Sequence, residues 1–231
     1  MKTSKSKVLA LVLCAALLVG GSVMATMAYL QDTAEVVNTF TVGQVKIALD
    51  EAKVNADGTP VDPAERTATG NAYHLIPGVT YTKDPTLTVK AGSEESYVRM
   101  IVTLNNAAAI KTVFGQNFLP QDHVDGWDST LWECVAIIDG TQQDPATDTL
   151  KYEFRYKETV KPEANKDLVL DALFDTFTAP ATLNNTALEK LAGFQISVEG
   201  HAIQKTGFAT ADAAWTAFDI QYAAEKAQAN G

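Results

Sequence analysis

His74, His123 and His201 are the three imidazoles of the chain, and no two of them stand at metal-ligand spacing along one element. No H-E-x-x-H, G-x-S-x-G or P-loop sequence occurs. Cys134 lies in the apolar run LWECVAII, with no histidine paired to it locally. A nucleophilic thiol wants a base beside it, so Cys134 reads as a small buried hydrophobe. The stretch DHVDGWDSTLWE gathers Asp122, Asp125, Asp128 and Glu133. It misses the EF-hand pattern, because its glycine falls at the fifth place and Val124 occupies a ligand place. Asp-Gly turns on a solvated surface account for these acids without calcium. The residue types therefore predict no catalytic residue, no metal ligand, no cofactor and no enzyme. A zinc site would have to be assembled from residues distant in sequence.

The charge balance narrows the partners. The chain has 18 basic and 28 acidic residues, a net of −10. Removing Lys2, Lys5 and Lys7 with an N-terminal leader leaves 15 basic residues against 28 acidic ones, a net of −13. Such a surface repels phosphate backbones, so nucleic acid is not an expected partner.

The leader itself has a basic start, an apolar run from Val8 to Val19, and the small residues Gly20, Gly21 and Ser22. That is the layout of a secretory signal peptide. The uncharged stretch from Val8 to Gln31 is also long enough to span a bilayer, so a retained anchor is the alternative. The small-x-small exits end at Ala25 and Ala28, which places the mature start at Thr26 or Tyr29. The expected organisation is a signal over residues 1–28 and a single domain over 29–231. With the signal gone, Cys134 has no partner for an internal disulfide.

Alternation dominates the rest of the chain. Val98, Met100, Val102 and Leu104 fall on one face, with Arg99 and Thr103 on the other. Leu150, Tyr152, Phe154 and Tyr156 alternate with Lys151, Glu153, Arg155 and Lys157. Phe194, Ile196, Val198 and Ala202 alternate with Gln195, Ser197, Glu199 and His201. Period two with a polar face marks half-buried strands of antiparallel sheets. A strand over 36–49, bent at Gly43 where the apolar parity switches, is expected as well. Further strands are expected over 72–76, 85–90, 131–138 and 168–178. The last two are apolar on both parities and read as central strands or as strand ends under a loop. About eight strands with Gly/Pro punctuation predict an all-β, jelly-roll sandwich.

Helical pieces interrupt the strands at 105–115 and 184–193, and a C-terminal helix is capped by Thr210. Ala211, Ala214, Trp215, Phe218 and Tyr222 form one stripe of that helix, expected to pack on the sandwich. The polar segment 51–71 is expected to be an exposed loop.

Three blocks carry a family resemblance. The first is Tyr29-Leu30-Gln31-Asp32 followed by Asn38, Thr39, Phe40, Thr41, Gly43 and Val45. The second is LIPGVTYTKDPTLTVKAGSEESYVRMIV (75–102) and the third VEGHAIQKTGFATADAAWTAFD (198–219). Together they resemble the TasA/camelysin family of Gram-positive secreted proteins processed by a SipW-type signal peptidase; residues 105–190 carry no such likeness. The resemblance implies a jelly-roll domain exported to the cell surface or biofilm matrix. It also implies a homopolymer, in which Tyr29–Val37, freed at Ala28 or Ala25, completes the sheet of the next subunit. Tyr29, Leu30, Asp32, Val36 and Val37 would then be the assembly residues, and an accessory protein is a further possible partner. Camelysin is also described as a metallo-endopeptidase, an expectation the missing zincin motif opposes. A surface module binding a ligand through the 51–71 and 115–130 loops is the third reading.

Overall fold

The computed structural model describes residues 44–139 and 148–229, all within the unit Gly43–Gly231. Its strands are β1 (Ile47–Ala52), β2 (Arg66–Thr67), β3 (Thr80–Thr82), β4 (Thr86–Val89), β5 (Ser96–Asn105) and β6 (Val124–Asp125). They continue as β7 (Trp132–Asp139), β8 (Thr149–Tyr156), β9 (Leu168–Val169), β10 (Thr176–Thr178) and β11 (Ile196–Gln204). The helices are α1 (Ala107–Phe114), α2 (Asn185–Lys190) and α3 (Ala211–Ala229).

All pairings are antiparallel, and the fold is an all-β sandwich with short helices and a C-terminal helix. One layer is the sheet β11-β5-β8-β7. The other consists of β2-β1-β4-β9 and β3-β10-β6. Bonds from Lys83 N–H to Asp175 O and from Leu173 N–H to Pro85 O join these two sheets. The chain changes layer between β4 and β5, β5 and β6, β6 and β7, β8 and β9, and β10 and β11, winding back and forth between the layers as in a jelly roll.

Alternation places the core. Val98, Met100, Val102 and Leu104 are at most 2 % exposed and pack with Leu87, Val89, Tyr152, Phe154 and Phe177. Each buried aliphatic side chain of this kind contributes roughly 1.5–3 kcal/mol. At Gly200 of β11 an added Cβ would lie 2.8 Å from Leu87 Cδ1 across the layers, so a side chain there would have to displace Leu87.

Several expectations are corrected. Residues 72–76 form no strand, because their backbone bonds are single and point to different partners. His74 N–H donates to Ala56 O, and Ile76 N–H to the Tyr81 hydroxyl. The expected strand 168–178 is two strands, β9 and β10. Thr82 pairs with Thr176 but Val89 with Leu168, one residue out of phase. That slip lets Leu170 and Leu173, of opposite parity, both reach the core. Among the described residues β7 lies at the end of its sheet rather than at its centre, with Val135, Ile137 and Ile138 at least 40 % exposed. Of the strand expected over 36–49, residues 44–46 are not strand and Ile47 begins one that runs on to Ala52; the bend at Gly43 lies outside the described residues. The 51–71 segment is largely exposed but not irregular throughout, since Glu51 pairs with Thr67 and Ala52 with Arg66.

The helices form near where their caps predict. Asn184 Oδ1 accepts from Ala187 N–H, and Thr210 Oγ1 from Ala213 N–H. Gly115 closes α1 at a positive φ of 106°.

Candidate functional site

Among the described residues β11 is an edge strand. At its ends Asn105 N–H donates to Gln195 O and Lys205 N–H to Glu95 O, so odd-numbered residues turn their amides toward β5. Alternation then turns the N–H and C=O groups of Ile196, Val198, Gly200, Ala202 and Gln204 the other way. Among the described residues no strand pairs with that side. β1 is its neighbour in the opposite layer, and among the described residues this flank of the sandwich is open.

A cavity sits at each end of that flank. The larger, about 650 Å³, has apolar walls from Phe177, Leu188, Phe194 and Ile196 and a polar end at Glu51 and Lys83. The smaller, about 370 Å³, lies between Ala202–Gln204 and the α3 residues Phe218 and Tyr222, with Val45 at its rim. Burial, and then the charge of Glu51, push the Tyr73 phenol in the larger cavity above its ordinary range.

The outer face of the same sheet carries a charged cluster under α3. Arg99, 3 % exposed, ion-pairs with Asp219 and lies 3.4 Å from Glu153. Its guanidinium stacks over the rings of Trp215 and Phe218. Arg99 Nε donates to His201 Nδ1 at 3.2 Å, and the imidazole packs on Phe218 and Tyr222 with centroids 4.7 and 5.0 Å away. Arg155 bridges Glu153 to Asp212 at the start of α3. The cluster anchors the helix to the sheet.

No protein-family model, curated protein or solved structure matches this chain.

Ala25, Ala28, Tyr29, Leu30, Asp32, Val36 and Val37 lie outside the described residues. The histidines stand apart. His74 is exposed, His123 stacks on Phe118 at 5.0 Å, and His201 is buried under α3 although its strand position belongs to the polar face. Burial lowers the His123 imidazole's proton affinity. Cys134 is half-buried beside the core, and burial raises its thiol. Asp128 is taken up by Thr130 and Asp125 by the Thr176 hydroxyl, so the acidic stretch does not converge on one point. Among the described residues no group of His, Cys, Asp and Glu is placed to hold a metal ion, and no helix is long and apolar enough to cross a membrane.

Sequence reasoning missed the Arg99–Asp219 pair and the Lys83–Glu51 pair. The one legible signal was Arg99 itself, a lone cation between valine and methionine in the most regular strand.

Proposed function

We propose that the mature chain is a secreted structural subunit of biofilm matrix or cell-surface fibres, joined head to tail through its N-terminal strand. The observation that supports this reading is the open β11 flank with a cavity at each end. A strand laid along β11 would satisfy its outward backbone groups and place alternate side chains toward the two cavities, the chemistry of β-augmentation. The donor is Tyr29–Val37 of another copy, released when a SipW-type peptidase cuts after Ala28 or Ala25. Before cleavage the leader holds that segment, so processing licenses assembly. A head-to-tail contact between unlike surfaces that does not close into a ring yields filaments. An accessory protein would serve to start them.

Electron microscopy of two purified chains tests this. One begins at Tyr29, and the other carries a short blocking tag ahead of it. Filaments from the free-ended chain alone support the reading. Monomers from both overturn it, and saturable binding of a small ligand by those monomers would make the protein a surface binding module. Zinc that survives dialysis together with peptidase activity would make it a camelysin-type enzyme.

A further inference from the structure

Beyond assembly, the polar end of the larger cavity has an arrangement that neither the fold nor fibre formation requires. Lys83 Nζ donates to Glu51 Oε2 at 2.6 Å, and Asn71 Nδ2 donates to the other oxygen, Oε1, at 2.8 Å. One carboxylate therefore holds an amine and a carboxamide side by side. Lys83 and Glu51 are each 6 % exposed. Asn71 is fixed from both ends, its Nδ2 also donating to Ala52 O at 2.8 Å and its Oδ1 accepting from Val54 N–H at 2.9 Å. An ion pair alone would not need the amide, and an amide alone would not need a buried lysine.

We propose that Lys83 and Asn71 are the two ends of an intramolecular isopeptide bond whose formation Glu51 catalyses. Each group has a role set by its contacts. Lys83 passes one proton to Glu51, which frees the lone pair on Nζ for attack on Asn71 Cγ. The Val54 N–H on Oδ1 stabilises the negative charge that develops there. Glu51 delivers its proton to Nδ2 and takes a second from Nζ. The Cγ–Nδ2 bond breaks with its electron pair on nitrogen, and ammonia leaves and carries off the surplus proton as ammonium. The new bond joins Nζ to Cγ; nothing is oxidised or reduced, and no co-reactant is consumed. Holding both partners on one carboxylate makes the reaction effectively unimolecular, which offsets the poor reactivity of a carboxamide. The product ties residue 71 to residue 83 across the segment that forms one wall of the cavity. It gives a covalent brace to a chain whose only cysteines are Cys14, in the leader, and Cys134.

Mass spectrometry of the processed, purified chain tests this. The bonded protein is lighter than its sequence by one ammonia, about 17 Da. Chymotrypsin cuts at Tyr73, Leu75 and Tyr81, between the two residues, so the bond leaves the Asn71 and Lys83 fragments joined, and trypsin no longer cuts after Lys83. Glu51→Gln keeps the shape of the carboxylate and removes its proton transfer, so it should restore the ammonia and the tryptic cut. Wild-type protein of full mass with separate fragments would overturn the proposal. So would a loss of ammonia with unlinked fragments, which is a succinimide at Asn71. The wild-type fragment map decides the matter even if Glu51→Gln fails to fold.

Discussion

The Arg99 guanidinium carbon lies 4.4 Å above the Trp215 ring, which joins the centre of the β11-β5-β8-β7 sheet to the first turns of α3. Trp215 is 2 % exposed, and Arg99 is held besides by Asp219 from the same helix. A cation this deeply buried is tolerable only while ring and carboxylate stay in place. Trp215→Ala is expected to cost about 3–5 kcal/mol, through the lost packing and the partial release of α3. Urea unfolding followed by circular dichroism measures it, and a loss within experimental scatter of zero would remove α3 from the structural core.

The direction of the β11 amides gives a one-residue contrast. Ala202 N–H points to the open flank and Ile203 N–H to β5. Ala202→Pro should leave the fold close to wild-type stability while blocking filament growth, since proline is tolerated on the free side of an edge strand. Ile203→Pro removes a ladder bond and should be the more destabilising by about 1–3 kcal/mol. Equal thermal shifts from the two variants would contradict the assignment of the edge.

Gly200→Ala pushes a methyl group toward Leu87 and Leu49. The expected penalty is about 1–3 kcal/mol, the usual range for overpacking. Because the clash is with Leu87, combining Gly200→Ala with Leu87→Ala should cost less than the sum of the two alone. Strict additivity in denaturant titrations would show that the layers adjust without this contact.

Acid should weaken the fold in a definite window. A bond from Lys205, then one from Thr159, holds the Glu95 carboxyl below its usual range. The Ala91 N–H, then Lys90, does the same for Asp167. Depressed folded-state values mean that the unfolded chain binds protons first. The stability these groups give is present above the ordinary carboxylate range, about pH 4, and is lost as pH falls through the lowered values. Tyr73, raised by burial, acts in the opposite sense; its contribution is intact below about pH 10 and is lost as pH rises beyond that. Melting temperatures measured across both limits should fall at each, and a flat acid limb would show that these pairs are screened out by solvent.

The readable half of the fold is the half written in period two. The alternating runs at 96–105, 150–157 and 194–202 became β5, β8 and β11, because a strand's faces are fixed by parity alone. Helix ends at Asn184, Thr210 and Gly115 were equally local, since a cap acts within a few residues. Runs apolar on both parities were not readable. Whether LWECVAII ends at an edge, or LVLDALFDTF slips register against residues 82–89, depends on neighbours far away in sequence.

By itself, then, the sequence determined that this is an all-β sandwich with a C-terminal helix, acidic, and without a recognisable catalytic motif. Only the tertiary structure decided which polar residues leave water. Arg99 and His201 sit on the polar face their parity assigns, yet α3 covers that face and buries them. Glu51, Asn71 and Lys83 come from β1, the loop after β2 and the turn after β3, and meet only because the layer folds them together. Parity is a property of one strand, whereas burial and encounter belong to pairs of elements, and local sequence carries no term for the second.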